Sequence, residues 1–281
     1  MNYMDVLIAL AVLGGLGLAF GLLLAVVARI FSVEADERVE AVSAILPGAN
    51  CGGCGYPGCG GLAEAIVRGE APVTACAAGG NTIAGLIAEV MGVEAELIED
   101  SSAVVFCSGG GRAKRRFIYE GLTDCYAMSK VAGGDLQCTY GCLGLGSCMR
   151  ACKFGAIEMV DNLAKIDVSK CTSCGACTRT CPRNIIHMVP RKQDVRVLCS
   201  SNDKGANLRE FCEIGCIGCK LCQRACPSNA IEVEDNLARI DYTKCTNCAL
   251  CVEKCPRRLI VDINGVVELY DPKTDTMVQA Q

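Results

Sequence analysis

Residues 216–227 read CIGCKLCQRACP, and residues 245–256 read CTNCALCVEKCP. Both stretches have the spacing C-x-x-C-x-x-C-x-x-x-C-P, with a proline directly after the last cysteine. Three thiolates at three-residue steps in a tight loop can bind three corners of a cube, and the fourth corner then needs a ligand from another part of the chain. The spacing therefore predicts two cubane [4Fe–4S] clusters in this region.

The fourth ligands are predicted from the way such runs combine. In bacterial two-cluster ferredoxins, the last cysteine of each run binds the cluster of the other run. The ligand sets predicted by this crossing are Cys216, Cys219, Cys222 and Cys255 for one cluster, and Cys245, Cys248, Cys251 and Cys226 for the other. Structural zinc also uses C-x-x-C pairs and is the alternative, although four-cysteine runs that end in Cys-Pro fit ferredoxins better.

The two runs lie in a sequence that occurs twice. Residues 156–186 read AIEMVDNLAKIDVSKCTSCGACTRTCPRNII, and residues 230–260 read AIEVEDNLARIDYTKCTNCALCVEKCPRRLI. The offset of 74 residues also aligns four earlier cysteines with later ones, namely Cys125 with Cys199, Cys138 with Cys212, Cys142 with Cys216 and Cys152 with Cys226. This repeat predicts a duplicated module, and each copy is expected to hold two clusters.

The first copy departs from the pattern in its upstream run. Leu145 stands where Cys219 stands in the second copy, and the cysteines of this run are spaced more widely. We predict that Cys138 replaces the missing ligand. The predicted sets of the first copy are Cys138, Cys142, Cys148 and Cys181 for one cluster, and Cys171, Cys174, Cys177 and Cys152 for the other.

A further cysteine-rich block precedes the repeat. Residues 51–76 read CGGCGYPGCGGLAEAIVRGEAPVTAC. Its glycines let the backbone turn N–H groups toward cluster sulfurs, and the spacing is unlike that of a zinc ribbon. The ligands predicted for this fifth cubane are Cys51, Cys54, Cys59 and Cys76.

Four cysteines remain outside these sets, and they are Cys107, Cys125, Cys199 and Cys212. Four thiols would suit a sixth cluster. The alternative is that they are buried free thiols, because free cysteine packs as a small apolar residue. The prediction is therefore five clusters, with a sixth as an option for these four cysteines.

The composition narrows the class of protein. The chain has 24 cysteines among 281 residues and a net charge of −4, so the charge gives no reason to expect a nucleic-acid partner. A disulfide scaffold is disfavoured, because the thiols stand in tight C-x-x-C runs and the cytosol keeps thiols reduced. No Ser/His/Asp set, carboxylate pair or Walker motif occurs, and we expect no catalytic site beyond electron transfer.

A membrane anchor is predicted near the start of the chain. The 23 residues from Val6 to Ala28 carry no charge, and as a helix they would span roughly 34 Å, enough to cross a bilayer. A buried core helix is the alternative. Arg29 and Arg38 follow the segment, so the positive-inside rule places the C-terminal bulk on the cytoplasmic side of the inner membrane, with a single pass through residues 6–30.

The predicted fold class is α+β. A single transmembrane helix is followed by a small [4Fe–4S] domain and then by duplicated bacterial-type two-cluster ferredoxin modules. The predicted segments are 1–31 for the anchor, 32–92 for the N-terminal [4Fe–4S] domain, 93–135 for a connecting segment, 136–190 for the first module, 191–262 for the second module and 263–281 for a C-terminal tail.

With these motifs in hand, the chain resembles the B-subunit family of the Rnf complex, the ion-translocating ferredoxin:NAD⁺ oxidoreductase of bacterial and archaeal membranes. The apolar N-terminal helix, the CGGCGYPGC…APVTAC block, and the stretches YGCLGLGSC and GCIGCKLC carry the resemblance. The family usually has prolines before Gly79-Gly80, where Ala77 and Ala78 stand here, but the cysteines of the block are all present.

The resemblance implies a role in a larger assembly. Such a subunit accepts electrons from reduced ferredoxin and relays them to membrane subunits of the complex, while NAD⁺ is reduced on another subunit and Na⁺ or H⁺ is translocated. One helix cannot enclose an ion path, so pumping would belong to partner subunits. The alternatives are a polyferredoxin that feeds a hydrogenase or heterodisulfide reductase, and a zinc-bound scaffold without redox function.

Overall fold

The computed structural model describes residues 3–30, 36–96, 98–263, 268–271 and 276–279. The helices in these residues are α1 (Tyr3–Ile30), α2 (Glu37–Ile45), α3 (Gly58–Val67), α4 (Gly80–Met91), α5 (Cys125–Lys130), α6 (Ser147–Ala151), α7 (Ala176–Thr180), α8 (Gly205–Phe211), α9 (Leu221–Ala225) and α10 (Leu250–Lys254). The strands are β1 (Ser101–Val105), β2 (Ile157–Val160), β3 (Leu163–Ile166), β4 (Ile186–Pro190), β5 (Val195–Val197), β6 (Ile231–Glu234), β7 (Leu237–Ile240), β8 (Ile260–Asp262), β9 (Glu268–Asp271) and β10 (Thr276–Gln279). The predicted mixture of helices and strands is confirmed.

Helix α1 is the predicted apolar helix. It has 28 residues, so it is about 42 Å long, which exceeds the roughly 30 Å of bilayer hydrocarbon. Its most apolar window, Leu10–Val27, has a mean hydropathy of 2.5, and none of that window is buried inside the protein. The alternative of a buried core helix therefore does not hold for this window. By length and composition α1 can cross a membrane.

Helices α2, α3 and α4 form a small domain around the first cysteine block. Asp36 caps α2, because its side chain accepts a hydrogen bond of 2.9 Å from the backbone N–H of Arg38. The core of this domain contains Val42, Ile66 and Ile87, which are at most 2% exposed. Cysteines of the block pack against this core, which fixes the loop that carries them.

The two copies of the repeat fold alike around a short hairpin. In the first copy β2 pairs with β3, with Ile157 opposite Ile166, and in the second β6 pairs with β7, with Ile231 opposite Ile240. Each hairpin turns at an Asp-Asn pair, residues 161–162 and 235–236, in which both residues have positive φ. This is the conformation of a two-residue type I′ turn, and the Asp-Asn sequence suits it.

A second strand pair completes each copy and connects elements that are distant in sequence. Strand β1 pairs with β4, and β5 pairs with β8. After each first strand, one further hydrogen bond extends the pairing, from Phe106 N to Ile185 O at 2.7 Å and from Leu198 N to Leu259 O at 2.9 Å. Strand β1 therefore belongs with the first module, although it falls in the segment predicted as a connection.

This pairing corrects the alignment of the two copies. Residue 106 is equivalent to residue 198, an offset of 92, whereas residue 185 is equivalent to residue 259, an offset of 74. The first copy therefore holds 18 extra residues, the difference between 92 and 74. The constant offset of 74 is wrong for Cys125, because the position equivalent to Cys199 is Cys107.

The predicted C-terminal tail contains strands β9 and β10, which pair with each other in antiparallel fashion. Residues 264–267, 272–275 and 280–281 of this tail lie outside the described residues. Among the described residues, each of the sheets has two strands. The sheets are therefore small.

Candidate metal centres

Two of the predicted cysteine sets each surround a cavity. The first is formed by the glycine-rich block and is lined by Cys51, Cys54, Cys59 and Cys76. The second lies in the second module and is lined by Cys216, Cys219, Cys222 and Cys255. In this second set, Cys255 reaches the loop of the other three from the following cysteine run, at the end of α10. Both groupings are the ones that the spacing predicts.

The two sets that complete the modules gather around buried cysteines. Burial, together with the nearby thiols of Cys171, Cys174 and Cys152, raises the pKa of Cys177 to about 11. The same combination of burial and neighbouring thiols, those of Cys222 from the other set and of Cys245 and Cys226, raises the pKa of Cys251 to about 12. Cys248, the remaining member of that set, is exposed.

The first module differs from the predicted grouping. Its upstream cavity is lined by Cys125, Cys142, Cys148 and Cys181. Burial raises the pKa of Cys148 to about 12, and the thiols of the other three cysteines of this cavity add to the effect. Cys138, which the sequence analysis assigned to this set, lines a different cavity. Cys125 is therefore the cysteine that the structure places beside Cys148.

A further cavity lies at the junction of the two modules. Its lining includes Cys107, Cys138, Cys142, Cys199 and Cys212. Three of the four cysteines that remained unassigned in the sequence thus come together, and Cys138 takes the place expected for Cys125. Burial raises the pKa of Cys107 to about 12 and that of Cys199 to about 11.

Backbone N–H groups point at several of the sulfur atoms. Cys107 Sγ accepts from Gly109 N at 3.4 Å and from Cys142 N at 3.5 Å. Cys199 Sγ accepts from Cys216 N at 3.4 Å, and Cys226 Sγ from Ala230 N at 3.3 Å. Such hydrogen bonds stabilise negative charge on sulfur and help to set the reduction potential of a cluster.

Glycines let the backbone approach these sites closely. A Cβ on Gly109 would lie 3.3 Å from the Cβ of Ala113, which is a tight contact, and 3.6 Å from Cys107 Sγ, which is an ordinary one. A Cβ on Gly53 would lie 2.6 Å from the backbone oxygen of Cys174. The glycine-rich block therefore packs directly against a cysteine loop of the first module.

The donor sets fit [4Fe–4S] clusters. Within the described residues, no three Cys, His, Asp or Glu side chains are placed to hold a single metal ion. Three cavities are instead lined by four cysteines each and the junction cavity by five, and N–H donors are directed at several of the sulfurs, which is the kind of arrangement a cubane requires. Because buried thiols with raised pKa values are protonated near neutral pH, loading of such a site releases protons.

A short sequence signal could have revealed the position of Cys107. The residues after β1 and β5 share a pattern, since Val105, Phe106, Cys107 and Ser108 match Val197, Leu198, Cys199 and Ser200. The match is only four residues long and has a different offset from the long repeat. The equivalence of Cys107 and Cys199 is therefore recognised only once the strand pairing is known.

Comparison with known proteins agrees with these centres. A family described as "Putative Fe-S cluster" matches residues 46–78, a 4Fe-4S binding domain matches residues 164–187, and a 4Fe-4S dicluster domain matches residues 215–259. The first match covers the glycine-rich block, and the other two cover parts of the two modules.

Three relatives are similar over most of the chain. The B subunit of the Na⁺-translocating ferredoxin:NAD⁺ oxidoreductase complex of Acetobacterium woodii is 47% identical over 242 residues, which cover 85% of this chain and 73% of the relative. The B subunit of the ion-translocating oxidoreductase complex of Methanosarcina acetivorans is 42% identical, and the match covers 85% of this chain and 91% of the relative. The B subunit of the proton-translocating ferredoxin:NAD⁺ oxidoreductase complex of Clostridium ljungdahlii is 44% identical, with 85% and 86% covered.

The cysteine sets and the matched domains define an iron–sulfur protein of the [4Fe–4S] ferredoxin type, whose chemistry is the transfer of single electrons. Identity to the three relatives extends beyond the ferredoxin motifs and includes most of the chain. The chain belongs to the family of B subunits of Rnf-type ion-translocating oxidoreductase complexes, which confirms the resemblance inferred from the sequence.

Proposed function

We propose that this protein is the membrane-anchored electron relay of an Rnf-type complex. It takes electrons from reduced ferredoxin and passes them to membrane subunits, while NAD⁺ is reduced on another subunit and Na⁺ or H⁺ is translocated by the assembly. The observation that carries the proposal is the series of four-cysteine sets along the chain. The names of the relatives support ferredoxin as the electron donor and NAD⁺ as the final acceptor of the complex.

Contacts between the elements that carry the cysteines support a series of neighbouring sites. Arg179 at the end of α7 donates to the backbone oxygens of Gly53 at 3.5 Å and Gly52 at 3.4 Å. These contacts hold the N-terminal [4Fe–4S] domain against the loop that carries Cys174. Within the second module, helices α9 and α10 pack together, so the two cysteine runs face each other.

The residues of the chain bind and shield the clusters. Cysteine thiolates would hold the irons, and the bound clusters supply one-electron redox chemistry. Apolar residues exclude water around them, and in the second module Val195, Leu237 and Leu259 are at most 3% exposed and share one core with Cys216, Cys222 and Cys251. Low solvent access and N–H donors to sulfur are the means by which this chain tunes the potential.

The function can be tested on full-length protein purified anaerobically from membranes. We expect a brown protein with about twenty or more irons, from four irons per cluster, that is reduced by reduced ferredoxin and co-purifies with membrane subunits and NADH-linked activity. Co-purification with a hydrogenase or heterodisulfide reductase instead would assign the relay to another enzyme. A colourless zinc protein would contradict the proposal.

The orientation of the anchor is part of the proposal and can be measured separately. Because Arg29 and Arg38 follow the apolar window of α1, we expect a reporter fused after residue 281 to be active in the cytoplasm. A matched variant that lacks residues 1–30 should carry the same reporter into the soluble fraction. Reporter activity on the opposite side of the membrane would reverse the orientation and exclude a cytoplasmic electron donor.

A further inference from the structure

We propose that a sixth [4Fe–4S] site joins the two ferredoxin modules and takes two ligands from each of them. Its ligands are Cys107, Cys138, Cys199 and Cys212. Cys125 then completes the first module's upstream site, together with Cys142, Cys148 and Cys181. This inference rests on the proposed function only in that the chain binds [4Fe–4S] clusters.

The four junction cysteines are two pairs of equivalent positions. Cys107 and Cys199 each lie two residues after the first strand of their module, β1 or β5, as the matching strand registers show. Cys138 and Cys212 are equivalent at the offset of 74 that holds for the rest of the modules. Each module therefore presents the same pair of thiols to one shared cavity.

The hydrogen bonds at the two sides of the cavity are equivalent as well. Cys107 Sγ accepts from Cys142 N, and Cys199 Sγ accepts from Cys216 N, at 3.5 and 3.4 Å. The two donors are themselves cysteines of the upstream sites of their modules. The junction site would thus be linked through one N–H···S contact to the neighbouring site on each side.

Backbone contacts between the modules hold the junction together. Lys114 N donates to Phe211 O at 2.8 Å, and Ala113 and Cys212 form an isolated antiparallel bridge. On the other side, Ser200 Oγ donates to Phe106 O at 2.8 Å. These bonds fix Cys212 and Cys199 beside residues of the first module, so the cavity is built by both modules and does not depend on one loop.

Cys142 lines both the junction cavity and the upstream cavity of the first module. Its equivalent in the second module, Cys216, lines the upstream cavity there with Cys219, Cys222 and Cys255. The thiol of Cys142 is therefore assigned to the upstream site. Its backbone N–H, which donates to Cys107 Sγ, accounts for its place beside the junction cavity.

The 18 extra residues of the first module supply Cys125. Ser147, at the start of α6, is 6% exposed, and its hydroxyl accepts from Cys125 N at 2.8 Å and donates to Asp124 Oδ2 at 2.8 Å. Arg150 Nη2 also donates to Thr123 O at 2.5 Å. This network holds Cys125 next to Cys148, at the site where Leu145 stands in place of the cysteine of the second module.

The residues equivalent to Ser147 and Leu145 in the second module account for the lack of a counterpart of Cys125 there. Leu221 stands where Ser147 stands in the first module, and Cys219 stands where Leu145 stands. The second module thus keeps the ligand in its loop and lacks the hydroxyl that anchors the insertion. Ser147 and Cys125 therefore occur together in the first module, where the serine binds the backbone of the cysteine. Because Cys125 completes the upstream site, Cys138 remains available for the junction site.

The grouping can be tested by counting irons in full-length, anaerobically purified variants. A parent variant, Cys107→Ala/Cys212→Ala, removes two junction ligands and should lose about four irons. Adding Cys138→Ala should cost no further iron, because Cys138 belongs to the site already lost. Adding Cys125→Ala should cost up to about four more, with an EPR change in the remaining clusters.

A second parent, Cys148→Ala/Cys181→Ala, provides the reverse comparison should the first variant fold poorly. Here Cys125→Ala should cost no further iron and Cys138→Ala should cost up to about four. The grouping would be overturned if, in either parent, the substitution expected to cost no iron cost about four and the other cost none. An unchanged iron content in Cys107→Ala/Cys212→Ala would overturn the sixth site. In those cases a wild-type content of about twenty irons or more would leave the proposed function standing, whereas wild-type protein without iron would contradict it.

Discussion

Removal of the iron–sulfur clusters is expected to unfold the described chain beyond α1. The sheets among the described residues each have two strands, and an isolated two-stranded sheet is at best marginally stable in water. The cores around them are small and include cysteines, for example Cys148 and Cys177 in the first module. Binding free energy of the metal centres would then be folding free energy.

Loss of the clusters is expected to remove the entire free energy of unfolding of each module, which is about 5–15 kcal/mol for a small domain. Hydrogen exchange of the backbone amides measures it directly. In the holoprotein the hairpins β2–β3 and β6–β7 should be protected, and after anaerobic removal of iron with a chelator this protection should be lost. Helix α1 is the internal control, because in detergent its hydrogen bonds are all within the helix and need no cluster.

Protected hairpins in the iron-free protein would show that the apolar cores suffice without metal. A partial result is also informative. If the domain of α2, α3 and α4 keeps its protection, its core around Val42, Ile66 and Ile87 is independent of the cysteine block. The prediction for the ferredoxin modules would be unaffected, because their cores are separate.

The elements with a local sequence signal could be predicted. The uncharged run gives α1, and the long repeat gives two copies of the same hairpin, each turned at an Asp-Asn pair. The spacing shows that each run needs a fourth ligand from elsewhere, and the crossing in bacterial two-cluster ferredoxins names Cys255, which lines one cavity with Cys216. These features can be recognised from sequence patterns without knowledge of the tertiary contacts.

The junction of the modules could not be predicted, since it depends on pairing between distant residues. Strand β1 pairs with β4, so Val105 lies opposite Ile186, and no local sequence pattern predicts that contact. The 18 extra residues change the offset from 74 to 92, and the sequence around them has too little similarity to reveal the change. The cavities that Cys125 and Cys138 line differ from the sequence assignment at this point, where three-dimensional equivalence and sequence alignment differ.

Alanine at Cys255 is expected to remove the cluster of the other cysteine run in the second module. Cys255 lines the same cavity as Cys216, Cys219 and Cys222, although it follows Cys251 in sequence by only four residues. The variant should lose up to about four irons, or about one if a three-iron form survives on the remaining thiolates.

Double substitutions in the full-length chain identify which cluster is affected. If Cys255 and Cys219 serve one cluster, Cys219→Ala/Cys255→Ala should lose no more than about four irons, whereas Cys248→Ala/Cys255→Ala should lose up to about eight because it disturbs two clusters. Cys226→Ala is the matched control at the equivalent Cys-Pro turn, and its partners should be reversed, since Cys226 lies near the buried Cys251. Equal losses for Cys219→Ala/Cys255→Ala and Cys248→Ala/Cys255→Ala would contradict the crossing, and a reversed order would mean that each run closes on itself. Each Cys-Pro turn would then no longer tie the two cysteine runs together, and the packing of α9 against α10 would have to connect them without shared ligands.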